Sequence, residues 1–186
     1  MRIVTPQHGF TLTEMAVTVA VLAILAAIAV PSFQSTIDKR RLIGAAEQLY
    51  GDLQYARSEA IKGNRVVGVN FTANGTDTWC YGMDDTPTAT VCDCNTSAAS
   101  DCTIDGVQKV FTSQGFRGVT MPLPAFGGGS GANTGFEPRR GVPSGGAQGT
   151  VSFISPTGQI DVVLSPEGRI RLCSPSTNKV AGYAAC

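Results

Sequence analysis

Apolar positions follow three rhythms along the chain. From residue 16 to 30 the run AVTVAVLAILAAIAV holds one hydroxyl and no charge. A helix over residues 10–30 would be roughly 32 Å long, about the hydrocarbon thickness of a bilayer. Further on, Leu42, Ala46, Leu49, Leu53, Ala56 and Ala60 recur three and four apart, with Arg40, Glu47, Gln54, Ser58 and Lys62 on the opposite face. That spacing predicts an amphipathic helix with one stripe on a core, over residues 31–63. Pro31 lacks a backbone donor and is expected to bend the helix rather than end it. Gly63-Asn64 supplies the stop.

Past residue 63 the period falls to two. Val67, Val69 and Phe71 share one side of a strand over 65–71, and residues 77–83 read as a short aromatic strand. Weaker strand patterns cover 107–113 and 116–120. Residues 121–149 hold nine Gly and four Pro, which predicts a long loop without packed elements. Strands over 150–155, 159–164 and 169–173 follow, separated by Pro156-Thr157-Gly158 and Ser165-Pro166-Glu167-Gly168, both turn chemistry. The fold class is therefore α+β, a long N-terminal helix packed on antiparallel sheet. The predicted organisation is a leader over 1–9, a membrane-spanning helix over 10–30, its amphipathic continuation over 31–63, and a β-rich region over 64–186.

Composition narrows the chemistry. Lys+Arg and Asp+Glu both number 14, which excludes a generally basic nucleic-acid binder and a highly charged disordered chain. The zero sum conceals two regions of opposite sign. Residues 77–105 contain six Asp and no Lys or Arg, whereas residues 106–186 contain seven basic residues against three acidic. Asp84-Asp85 reads as a solvated turn rather than a cation site. The single His, His8, falls in the leader, so a Ser or Cys nucleophile in the rest of the chain would lack an imidazole base. No enzyme, cofactor or metal site is expected. Six cysteines, all beyond the apolar block, point to disulfides formed outside the cytoplasm. Cys173 and Cys186 are expected to pair across a Pro-containing tail. Cys80, Cys92, Cys94 and Cys102 leave three connectivities, among which Cys80 with Cys94 and Cys92 with Cys102 is no more than a guess.

The start of the chain does not fit a cleaved secretory signal, in which the small-residue cleavage site follows the apolar stretch. Here Gly9 precedes that stretch and Glu14 lies inside its beginning. A carboxylate there asks for a partner, and a cut after Gly9 would create one, the α-amino group of Phe10. The residues Gly9-Phe10-Thr11-Leu12-Thr13-Glu14 resemble the class III signal of type IV pilins and type II secretion pseudopilins. The resemblance implies a prepilin peptidase that cuts between Gly9 and Phe10 and methylates Phe10, with Glu14 serving assembly. It also implies a chain that sits in the inner membrane first and then joins other major and minor pilins in a periplasmic or extracellular filament. The stretch Asp52-Leu-Gln-Tyr-Ala-Arg-Ser-Glu-Ala-Ile-Lys62, followed by Arg65-Val-Val, is similar to the GspH/FimT family within that group. Arg57 and Glu59 in it read as a solvated helix face.

Gly168-Arg169-Ile170-Arg171 is the most informative part of the basic half. Residues two apart in a strand share a face, so Arg169 and Arg171 would project together with Ile170 behind them. Two guanidiniums with adjacent reach suit neighbouring phosphates, although the spacing alone also describes an ordinary solvated strand. The segment resembles the GRxR motif of FimT-type minor pilins, which implies binding of DNA phosphates, without sequence preference, during uptake for natural transformation. Lys179, Arg139 and Arg140 extend the basic set by charge alone. The alternatives are a structural minor pilin that primes or caps a filament, and a type II secretion pseudopilin of the H kind.

Overall fold

The computed structural model describes residues 9–73, 78–85, 92–95, 102–129 and 131–186. The leader up to His8 lies outside them, as do Asp77 and Asp101 of the acidic stretch. The chain divides into two units, Met1–Ile37 and Asp38–Cys186. Helix α1 runs Leu12–Gly63 and continues through Pro31.

In the first unit α1 is long and apolar enough to cross a membrane, and its side chains from Leu12 to Ile28 are exposed. Its start is a capping box. The Thr11 N–H donates to Glu14 Oε2 at 3.1 Å, and the Glu14 N–H donates to Thr11 Oγ1 at 3.3 Å. Two backbone donors that an apolar helix would leave orphaned are satisfied reciprocally.

In the second unit the predicted stripe is the buried one. Leu42, Ala46, Leu49, Leu53, Ala56 and Ala60 are all buried, joined by Ala45. The helix ends in a Schellman motif. Asn64 takes φ 50°, the Arg65 N–H reaches Ala60 O, and the Asn64 N–H reaches Ile61 O. Glu59 departs from the expected solvated face. It is buried, with Lys62 Nζ 3.3 Å from its Oε1.

Ten strands follow: β1 Val67–Ala73, β2 Trp79–Asp84, β3 Thr103–Ile104, β4 Val107–Gln108, β5 Val110–Thr112, β6 Ala125–Phe126, β7 Asn133–Phe136, β8 Gly149–Ser155, β9 Gly158–Leu164 and β10 Ile170–Cys173. They form a first sheet in the order β5-β2-β1-β7, a second in the order β10-β9-β8-β6, and a β3-β4 hairpin. All named pairings are antiparallel. The period-two pattern turns one face of each sheet inward. Val67, Val69, Phe71, Trp79, Tyr81 and Met83 from the first sheet join Val151, Phe153, Ile160, Val162, Leu164 and Ile170 from the second in one core with the helix stripe. Trp79 meets Phe153 edge-on at 5.3 Å across the layers.

Three expectations are corrected. Residues 121–149 are not a loop throughout: β7 pairs with β1, β6 pairs with β8, and Met121, Phe126, Phe136 and Ala147 are buried. The glycines there admit close backbone packing. A Cβ on Gly135 would lie 2.8 Å from Val67 O. Second, 116–120 forms no strand. A 3-10 turn, Ser113–Gly115, leads into it and Thr120 alone bridges to Ile154. Third, 107–113 is two strands broken at Lys109, whose N–H donates to Cys102 O. The β3-β4 hairpin turns on Asp105-Gly106, with φ 52° and 74°, the backbone a two-residue hairpin of this hand requires.

Candidate nucleic-acid interface

Strands β9 and β10 are joined by Ser165-Pro166-Glu167-Gly168. The Gly168 N–H donates to Ser165 O, and the Ser165 N–H donates to Arg169 O. Pro166 presets the first turn residue, and Gly168 takes φ 77°, which makes this a three-residue hairpin loop closed by a left-handed glycine. The register places Ile170 opposite Leu164 and Arg171 opposite Val163. Ile170 is buried in the core, while Arg169 and Arg171 are exposed. The alternation expected for this segment is present: both arginines leave one face. With Val163, Ser165 and Glu167 they line a shallow depression of about 370 Å³.

Glu167 is the member of this group that sequence reasoning missed. Its own backbone N–H and the Ser165 hydroxyl donate to its carboxylate and, with Arg169 nearby, hold the carboxyl below its ordinary range. The depression therefore carries two guanidiniums and one carboxylate beside Arg169. The i, i+2 spacing of Glu167 and Arg169 was legible, but only the turn geometry shows that both line one depression.

Gly168 does more than make the turn. A Cβ there would lie 2.2 Å from Gly141 O, so the backbone of the turn after β7 packs against it. That turn is Pro138-Arg139-Arg140, closed by the Gly141 N–H donating to Glu137 O. Arg139 and Arg140 are exposed on it. Lys179 is placed elsewhere. It is exposed and bridges Gln159 near the start of β9, four residues from Val163, the partner of Arg171, roughly 13 Å along an extended strand. Lys109 has its Nζ 4.9 Å from the Tyr55 ring centre.

Three disulfides are present: Cys80–Cys94, Cys92–Cys102 and Cys173–Cys186. The last ties the tail to the end of β10 away from Arg169. There the Ser174 hydroxyl donates to Gln159 O, the Val180 N–H donates back to Ser174 Oγ, and the Tyr183 hydroxyl donates to Glu47. Asp85 is no solvated turn. Arg65 bridges it and Asp105, and the Asp105 N–H donates to it. Arg65 is thereby occupied by carboxylates.

Residues 45–180, well over half of the chain, match the family described as type II transport protein GspH. The chain belongs to this family. Residues 5–30 match the prokaryotic N-terminal methylation motif, which covers Gly9 and Phe10. Two solved structures share the GspH chain's fold. The type IV minor pilin FimU of Pseudomonas aeruginosa is 22% identical over 76% of this chain and 94% of its own, with a TM-score of 0.50. The minor pseudopilin EpsH of the Vibrio cholerae type 2 secretion system is 16% identical over 73% of this chain and 98% of its own, with a TM-score of 0.53. At these identities the likeness is one of fold: a helix packed on antiparallel sheets.

Proposed function

We propose that this GspH-family chain is a minor pilin of the FimT type that holds the phosphate backbone of DNA during uptake. The observation that carries the reading is the pair Arg169 and Arg171, exposed on one face of β10 with Ile170 buried behind them. Each guanidinium is permanently charged and presents a planar fork of donors. Contacts of this kind bind any sequence and weaken with salt. A few arginines bind weakly per subunit, and repetition along a filament raises avidity. The methylation motif supports processing by a prepilin peptidase between Gly9 and Phe10, with N-methylation of Phe10, a stage in the inner membrane and assembly with other pilins through Glu14. The mass of the mature chain checks the cut, and a chain beginning after residue 30 overturns it. Cleavage would also give the Glu14 carboxylate a partner besides Thr11, because the new Phe10 amine lies next to Thr11.

The test is duplex binding by the full chain and by R169Q/R171Q across a salt series, with transformation and piliation measured in the same strains. The variant is expected to bind unrelated duplexes equally weakly and to transform poorly while pili assemble. Unchanged binding and uptake in a folded variant overturns the reading. A second reading is favoured by Glu167 in the depression and by the type II transport family: a pseudopilin whose β10 face meets a neighbouring subunit. Loss of secretion or assembly with unchanged DNA binding in the same variant selects it.

A further inference from the structure

We infer that Arg139, Arg140, Arg169 and Arg171 form one anion site, put together by Gly141 and Gly168, and that its ligand is a polyanion offering several phosphates in a row. This rests on the DNA reading above and extends it from one strand to two interlocked turns. The lock is steric. At Gly168, φ is 77° and a Cβ would lie 2.2 Å from Gly141 O and 3.2 Å from Val142 Cα. At Gly141, φ is 60° and a Cβ would lie 2.8 Å from Arg57 Nε and 2.9 Å from Ile61 Cδ1. Gly168 is thus required twice over, for its backbone angle and for the space, whereas Gly141 is required for its backbone angle, the atoms nearby being side-chain atoms of Arg57 and Ile61 that can shift. The 138–141 turn is wedged between the last turns of α1 and the β9–β10 hairpin. Gly168 touches no ligand in this arrangement; it is a positioning residue.

The consequence is electrostatic. The 139–140 pair and the 169–171 pair come from segments remote in sequence, yet their turns touch backbone to backbone. Exposed like charges gathered this way repel one another, and a multivalent anion relieves that repulsion. Glu167 beside Arg169 offsets part of the charge, leaving the arginines in excess. A lone carboxylate or phosphate would occupy one fork. A nucleic-acid backbone, with regularly repeated charges, can engage both pairs together.

The experiment uses the full chain in detergent micelles and a short labelled DNA duplex, with anisotropy followed over salt. R139Q/R140Q changes two exposed side chains. It is expected to lower the slope of log K against log salt by about two, so that between roughly 50 and 200 mM the wild type loses about ten-fold more affinity than the variant does. R139K/R140K is expected to restore the slope. G168A keeps every charge but displaces the 138–141 turn; its slope is expected to fall toward that of R139Q/R140Q. If G168A does not fold, R139Q/R140Q decides alone. Wild-type affinity and slope in R139Q/R140Q, alongside weakened R169Q/R171Q, overturns the single site and leaves the DNA reading standing. Wild-type binding by R169Q/R171Q overturns the DNA reading itself.

Discussion

On the outward side of β2, Cys80 is bonded to Cys94 and Gly82 lies beneath the Cys92–Cys102 disulfide, whereas Val163, Arg169 and Arg171 line the open outward side of the second sheet. Both sheets turn large apolar side chains inward to the same core. They differ in what the other face can hold. On β2 the outward residues are small. A Cβ on Gly82 would lie 2.4 Å from Cys102 Sγ and 2.7 Å from Cys92 Sγ, so the sulfurs pack directly on the strand backbone. Cys80, Cys92, Cys94 and Cys102 make a second, sulfur-lined core there. Long charged side chains on the second sheet admit no such cover. The lesson is that an antiparallel sheet with one face in the core has a second face to assign. Here one such face is closed by disulfides and the other stays exposed.

The largest effect expected from breaking this contrast is on stability. C92S/C102S removes a short cross-link from the closed face and should cost about 3 kcal/mol in the chain-entropy model, read as a large fall in the thermal midpoint. R169Q/R171Q on the open face should leave the midpoint unchanged, because surface substitutions away from packing and hydrogen-bond networks have small effects. Equal losses in the two variants would erase the distinction between the faces.

A smaller effect concerns the inner face of the first sheet. Tyr81 donates to Asp52 of α1 at 2.6 Å, and burial raises the Asp52 carboxyl above its ordinary value of 3.8, against hydrogen bonds from Tyr81 and Gln48 and the charge of Lys109. A carboxyl raised in the fold binds its proton more tightly there than in the unfolded chain. Its contribution is therefore fully present below the ordinary value and is lost as pH rises through the raised one. In D52N the urea midpoint should fall less than in the wild type as pH rises through that window. A steeper fall in D52N would show that the carboxylate stabilises the helix–sheet contact instead. On the open face the arginines stay charged and contribute no slope in this range, whereas Glu167, held below its ordinary value, contributes a slope of the opposite sign, its stabilisation being lost as pH falls.

The smallest effect sharpens the open face itself. E167Q removes the one carboxylate lining the depression with Arg169 and Arg171, and should raise affinity for duplex DNA a few-fold at low salt, with the gain fading as salt screens it. Unchanged or weaker binding would mean that Glu167 orders the turn through Ser165 more than it opposes phosphate.

Much of this organisation was legible in the chain. The helix stripe from Leu42 to Ala60 was readable because a 3.6-residue period survives burial against almost any partner. The outward pair Arg169 and Arg171 was readable because a strand period of two needs no knowledge of its neighbours. The Thr11–Glu14 capping box and the Asp105-Gly106 hairpin also have local signatures, a Thr-x-x-Glu before an apolar run and a turn dipeptide. Residues 121–149 misled for a physical reason. Glycine reads as loop, yet at Gly135 its missing side chain is what allows β7 to lie against β1.

By itself the sequence determined the long helix, the longer strands and the direction in which their side chains leave the backbone, since these depend on local steric periods. It also determined the apolar length of the first helix and carries the methylation motif around Gly9 and Phe10. The tertiary structure alone decided how Cys80, Cys92, Cys94 and Cys102 pair, that Lys179 sits beside Gln159, and that the turns holding Gly141 and Gly168 interlock. Those are relations between segments distant along the chain. They follow from backbone approaches allowed by absent side chains, and the absence of a side chain does not name its neighbour until the chain has folded.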